Sequence, residues 1–331
     1  MTTGNFEEGP VLPDPARRDF LKKSVALVMG GIGSRGEAAP SGGETVPMFP
    51  GFERARIKTT GTTINLVVGG KGPPVLLLHG YPQTHVMWHK IAPRLARDFS
   101  VVAPDLRGYG DSDKPPDGEQ HSGYSKRAMA QDQVEVMAGL GFKEFAVVGH
   151  DRGGRIGHRM ALDHSERVTK LAVLDIVPTH KLYHNVTREF ATAYFHWFFL
   201  IQPAPFPETL IGNNVEFYLR RVKSEGMTPE AFAEYLRCFR DPATVHATCE
   251  DYRAAASIDL AHDDADIARK ITCPVLALWA ERGVMHRLYD VLATWRERAV
   301  HVSGKALPGG HFLPEERPEE TFAELKSFLT T

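Results

Sequence analysis

The run Val147-Val148-Gly149-His150-Asp151-Arg152-Gly153-Gly154 limits what this chain can fold into more than any other stretch. Its first half ends an apolar, β-branched segment, Phe145-Ala146-Val147-Val148, that reads as a buried strand. A helical pattern follows from about Gly153 to His164. The turn between them is sharp, and it presents Asp151 at the strand tip. A strained strand-to-helix turn of this kind needs small residues two positions either side of its centre, and Gly149 and Gly153 supply them. The N-terminus of the following helix favours an anion at Asp151. An aspartate that merely caps the helix would need neither glycine, so a reactive carboxylate is the reading that uses the whole motif.

The surrounding pattern extends that unit into a sheet. Strands are expected at residues 64–68, 75–78, 100–103, 171–174 and 275–278, with helices at 87–98, 125–140 and 319–329. Continuous apolar strands alternating with helices imply an α/β fold with a mostly parallel, doubly wound sheet covered on both faces. Residues 178–257 break the alternation. They are helical and aromatic-rich, with Tyr194-Phe195-His196-Trp197-Phe198-Phe199 in their midst. An insertion after a sheet strand reads as a helical cap over the strand ends, where such sheets bind ligands. The core is then 46–177 and 258–331.

Residues 1–45 read as a separate tail. Arg17-Arg18-Asp19-Phe20-Leu21-Lys22 resembles a twin-arginine export motif, followed by a mildly apolar run at 24–32 and small residues at Ala38-Ala39-Pro40. That run falls short of the about 20 residues a bilayer span needs, so no stable membrane anchor is expected. The implied location is the periplasm, with the cytoplasm as the alternative if the arginine pair is only part of a disordered tail.

Composition excludes several classes. A net charge of −2 gives no bulk basicity to recruit nucleic acid. Cys238, Cys249 and Cys273 are odd in number and lack ligand spacing, so neither a disulfide framework nor a zinc-finger site is indicated. A Cys238–Cys249 bridge is the one pairing left open. The fifteen histidines contain no HExxH-type pattern, and no metal or other cofactor is expected.

Near the C-terminus, Pro308-Gly309-Gly310-His311-Phe312 places His311 on a tight loop after a strand-like segment. An aspartate nucleophile forms an alkyl ester that water must open, and His311 is the candidate base. A plain surface-loop histidine is the alternative. The acid that orients it is Asp175, at the end of the strand over 171–174, or Glu281 after the strand over 275–278.

Separated motifs now add up: His79-Gly80-Tyr81-Pro82-Gln83, residues 105–112, Gly149 to Gly154 with Arg155, Leu174-Asp175-Ile176, His196-Trp197, Asp251-Tyr252-Arg253 and Gly310-His311-Phe312. Together, from about Phe52 to the C-terminus, the chain resembles the fluoroacetate (haloacetate) dehalogenases of the α/β-hydrolase superfamily. The resemblance implies the acid at Asp175, a halide pocket of His196, Trp197 and Tyr252, and a substrate carboxylate held by Arg152 and Arg155. Backbone N–H groups of Tyr81 and Arg152 are the expected oxyanion hole. The implied reaction converts a small 2-haloacid and water to the hydroxy acid and halide with no cofactor, in a homodimer.

Charge supports the arginine assignment independently. A haloacid brings its own carboxylate beside Asp151, a repulsion of about 4 kcal/mol at about 4 Å in an effective dielectric near 20. Two guanidinium groups, at one and four residues past Asp151, offset it, and arginine's planar fork matches a carboxylate. Arg155 facing solvent or pairing with a core acid, and His196-Trp197 as packed core, are the structural alternatives. An epoxide hydrolase on the same fold would usually use two cap tyrosines and a Trp after the aspartate, where this chain has Arg152. A non-catalytic binding relative usually lacks a member of the aspartate–histidine–acid set, and a serine hydrolase lacks its serine here.

Overall fold

The structure, a computed structural model, describes residues 46–331, so the export-like motif and tail over 1–45 lie outside the described residues. The strands are β1 (Phe52–Lys58), β2 (Thr63–Gly69), β3 (Pro74–Leu78), β4 (Ser100–Pro104), β5 (Phe145–His150), β6 (Val168–Leu174), β7 (Val275–Ala280) and β8 (Val302–Leu307). They form one sheet in the order β1-β2-β4-β3-β5-β6-β7-β8. The pairs β1/β2 and β2/β4 are antiparallel, and the remainder are parallel. The central strands are buried along nearly their whole length, as both-face coverage requires.

Flanking helices include α1 (Lys126–Gly139) and α2 (Arg152–Asp163). Ser125 caps α1 by accepting from the Ala128 N–H at 3.2 Å. Between β6 and β7 the described residues hold helices and no strand, among them α3 (Thr179–His184), α4 (Phe195–Phe199), α5 (Pro242–Ala255) and α6 (Ile258–Ala265). The terminal helix is α7 (Pro318–Thr330). Asp241 caps α5, accepting from the Ala243 N–H at 2.9 Å, and Pro242 takes the first turn, where no N–H is missed. Ion pairs Lys126–Asp259 and Arg159–Asp263 fasten α6 to α1 and α2.

Two local expectations are corrected. The single helix expected over 87–98 is a 3₁₀ turn, His85–Trp88, followed by a short helix, Ala92–Leu95. Pro93 cannot donate to the carbonyl four residues back, and its ring clashes there, so a continuous helix cannot pass it. The edge strand β1 was not expected. Its sequence Phe-Glu-Arg-Ala-Arg-Ile-Lys carries too many charges to read as apolar alternation, which suits an edge exposed to water. The three cysteines are free, so no Cys238–Cys249 bridge forms.

Candidate active site

The strained turn is present. Asp151 follows the last residue of β5 with φ 46° and ψ −112°, directly before α2. A Cβ on Gly149 would come within 2.5 Å of the Gly153 carbonyl carbon, and one on Gly153 within 2.4 Å of the Leu78 oxygen. Glycine at both positions is therefore a packing requirement of the turn.

The expected acid, base and carboxylate converge from three strand ends. His311 Nδ1 lies 2.6 Å from Asp175 Oδ2, and its Nε2 lies 4.0 Å from Asp151 Oδ2. The other Asp175 oxygen accepts from the Ala280 N–H at 2.9 Å. Asp175 also has a positive φ, 51°. The carboxylate is thus fixed at both oxygens, and it fixes the imidazole. Glu281 is exposed, which leaves Asp175 as the residue that meets His311. His150 packs on the His311 loop: its Nε2 meets the His311 carbonyl at 2.8 Å and its ring lies 4.7 Å from the His311 ring. It holds the histidine loop from behind.

Burial drives the Asp151 carboxyl pKa up, but the charges of His311, Arg155, His150 and Arg152 outweigh it and hold the group at about 2. Asp151 is therefore an ionised carboxylate across the ordinary pH range. Its Oδ1 accepts from the Tyr81 N–H at 3.1 Å, the amide expected at an oxyanion position. The other expected amide, that of Arg152, opens α2. Burial lowers the His311 pKa, yet the hydrogen bond and charge of Asp175 raise it above the usual histidine value.

Both arginines are buried beside Asp151. Arg155 does not face solvent or pair with a core acid; its Nη1 donates to the Val177 carbonyl at 3.0 Å and the Thr179 hydroxyl at 2.9 Å. Arg152 is held by a residue to which the sequence reading gave no role. Asp251, on α5, accepts from Arg152 Nε at 2.9 Å and Nη2 at 2.7 Å, and its backbone carbonyl accepts from Nη2 at 2.8 Å. The same carboxylate takes the Tyr109 hydroxyl at 2.7 Å and pairs with Lys126. Lys126 and Tyr109 were likewise given no role, although Tyr109 lies in the 105–112 motif. Asp251 and Tyr109 fall within the motifs quoted above, but nothing local shows that they support Arg152, because Asp251 meets partners 99 to 142 residues away.

The aromatic residues of the insertion pack over these arginines. The Arg155 guanidinium lies 4.6 Å from the Trp197 ring and that of Arg152 lies 4.2 Å from the Tyr252 ring. His196 stacks on Tyr81 at 5.9 Å and meets Tyr252 edge-on at 5.8 Å. Burial holds the His196 pKa down at about 3, so its ring is neutral and offers a single N–H. Buried atoms in this cluster with no hydrogen-bond partner among the described residues include Arg152 Nη1, Arg155 Nε, Trp197 Nε1 and Tyr252 Oη. A buried donor left unpaired costs about 1–3 kcal/mol. Several gathered around one carboxylate describe a site suited to a small anion.

The α/β hydrolase fold family model matches residues 73–318. The chain belongs to that family. A fluoroacetate dehalogenase from Burkholderia sp. is 47% identical over 290 residues, covering 86% of this chain and 95% of the relative, which bears out the resemblance read from the motifs. A soluble epoxide hydrolase from Corynebacterium sp. (strain C12) is 36% identical, over 78% of this chain and 91% of its own. Among solved structures, a provisionally assigned α/β hydrolase from Nostoc sp. PCC 7120 superposes with a TM-score of 0.83 at 64% identity, covering 84% of this chain and 98% of that one.

Proposed function

We propose that the chain hydrolyses the carbon–halogen bond of small 2-haloacids such as fluoroacetate, through an ester formed on Asp151. The observation that carries this reading is the set of unpartnered buried donors beside an ionised carboxylate. Arg152 Nη1 and Arg155 Nε would take the substrate carboxylate. Trp197 Nε1, Tyr252 Oη and the neutral His196 would take the departing halide, whose concentrated charge needs donors aimed at it. Asp151 attacks the halogen-bearing carbon and its electron pair becomes the new C–O bond, while the C–halogen pair leaves with the halide. His311, oriented by Asp175, then takes a proton from water as that water attacks the ester carbonyl. The Tyr81 and Arg152 N–H groups hold the oxyanion, and the product from fluoroacetate is glycolate. Asp151 is buried, only 3% exposed, so the reaction would take place away from bulk water. The twin-arginine-like segment supports export to the periplasm.

Fluoride and chloride release from haloacetates, read with ion-selective electrodes, tests the reading, with styrene oxide assayed in parallel. Epoxide hydrolysis is the second reading, favoured by the Corynebacterium relative and by the unpartnered Tyr252 hydroxyl. It gives the unpartnered Nη1 of Arg152 and Nε of Arg155 no anion to bind, because an epoxide is neutral. Turnover of styrene oxide without halide release from any haloacetate would select it.

Two further outcomes follow from the charges. Arg155→Met should lower kcat/KM for chloroacetate by about 10²–10³-fold, the worth of offsetting roughly 4 kcal/mol of repulsion. The slow reaction of neutral chloroacetamide should change little; equal losses on both substrates would mean that Arg155 is structural. For Asp175→Asn the pH profile is the readout. His311 works as a base only when neutral, so activity rises with pH through its raised pKa. Removing the Asp175 charge lowers that pKa, so the acid limb should move to lower pH while kcat falls by about 10²-fold. An unmoved limb would separate Asp175 from His311.

A further inference from the structure

A second cluster of metal-binding side chains lies outside the site around Asp151. His180 and His184 are four residues apart on α3, one helical turn, so their rings share a face. The ring centroids are 3.9 Å apart at an interplanar angle of 18°. His184 Nδ1 faces the His180 carbonyl at 3.0 Å. A nitrogen that meets a carbonyl carries the proton, which leaves the lone pair of His184 on Nε2, the tautomer usual for a ligating imidazole. Asp264, on α6, brings Oδ1 to 2.9 Å from His180 Nε2. One ligand atom from each of the three lies within 4.8 Å of the others. A tetrahedral ion with bonds of about 2.0–2.1 Å spaces its ligands roughly 3.4 Å apart, so side-chain rotations alone can close the set. His184 and Asp264 are exposed, and an ion reaches them from solvent.

Another group, Asp117, His246 and Glu250, meets the same distance limit but is already committed. Glu250 accepts from Arg253 at 2.6 Å and pairs with His121 at 2.5 Å, while His246 meets Glu208 at 3.1 Å. At the α3–α6 cluster, among the described residues, Asp264 makes an ion pair with the imidazole of His180 and with no other cation. Two imidazoles and one carboxylate suit Zn²⁺, Ni²⁺ or Cu²⁺ and not Mg²⁺ or Ca²⁺, which prefer oxygen ligands.

We propose that His180, His184 and Asp264 form a surface site for one divalent transition-metal ion, with water completing its coordination. Of the two helices it would join, α3 opens the helical insertion and α6 directly follows it. Helix α3 begins at Thr179, which accepts from Arg155, and α6 is paired to Lys126 and Arg159. The ion would tie the start of the insertion to its end, so its effect is on stability and not on chemistry at Asp151.

The test uses the full chain without a polyhistidine tag, stripped with EDTA and titrated with ZnCl₂ by calorimetry, with metal content and thermal unfolding measured in parallel. The native chain should bind one Zn²⁺ that a large excess of Mg²⁺ does not displace. Its Tm should rise by about 5 °C at about a hundredfold excess over Kd. His184→Ala and Asp264→Asn should each weaken binding by at least about tenfold and abolish the Tm shift, while His246→Ala keeps both. Absence of saturable binding to the native chain overturns the site, as does binding that persists in both cluster variants or disappears in His246→Ala.

Discussion

Asp151→Asn is expected to release fluoride from fluoroacetate at least about 10⁴-fold more slowly than the native chain, the scale of loss when a covalent nucleophile is removed. The replacement is nearly isosteric. The amide oxygen can keep the Tyr81 N–H bond, and asparagine tolerates the positive φ that Asp151 occupies. What disappears is the anion that His311, Arg155 and Arg152 hold ionised down to about pH 2. Because that pKa lies so low, mild acid cannot mimic the mutation, and the loss should be independent of pH between 5 and 9 by rough reckoning from ordinary carboxylate values. Circular dichroism separates lost chemistry from lost fold. A single native turnover in heavy-oxygen water gives the positive control: the label should enter the Asp151 carboxylate, and glycolate should carry the original aspartate oxygen. Label found directly in glycolate, or an Asn variant that keeps near-native rates, would exclude the ester route.

The sequence made the parallel half of this fold readable because the buried strands are continuous apolar runs that need no context to interpret. Strand β1 escaped, since an edge facing water is free to carry Glu53, Arg54 and Arg56. The short helices near Pro93 escaped because apolar spacing alone does not register a missing N–H. At the site, residues with a local signature were legible: the two glycines that admit Asp151, and the Gly-Gly-His loop that delivers His311. The support of Arg152 by Asp251, Lys126 and Tyr109 was not. Those partners lie far apart in the chain and meet only in the fold, and a buried carboxylate has the same sequence appearance as an exposed one. The consequence reaches the chemistry. Arg152 reads in the sequence as a free fork for a substrate, whereas Nε and Nη2 are already spent on Asp251. It offers Nη1 from a rigid position, and Arg155 offers Nε from another. In the proposed reaction the pair would hold the substrate carboxylate with donors already fixed in place.

His311→Gln should uncouple the two halves of the reaction. Halide release by Asp151 does not require the imidazole as a proton acceptor, because the attacking carboxylate is already ionised. Opening the ester does, since water must lose a proton as it attacks. The variant should therefore release a burst of one halide per active chain and then stop, with steady turnover lowered by about 10²–10⁴-fold. Mass spectrometry of the arrested protein should find a carboxymethyl ester on the peptide containing Asp151 and on no other. Glutamine preserves bulk against His150 and Phe312, whose rings pack 4.7 and 5.0 Å from that of His311. The burst rate has its own expected change. Burial of Asp151 is offset first by the charge of His311 and then by Arg155. With His311 gone the carboxylate loses part of that support, so the acid limb of the burst should move to higher pH. A variant that turns over steadily, with no burst and no ester, would require the base to be another residue, and the 4.0 Å approach of His311 to Asp151 would then be a matter of packing alone.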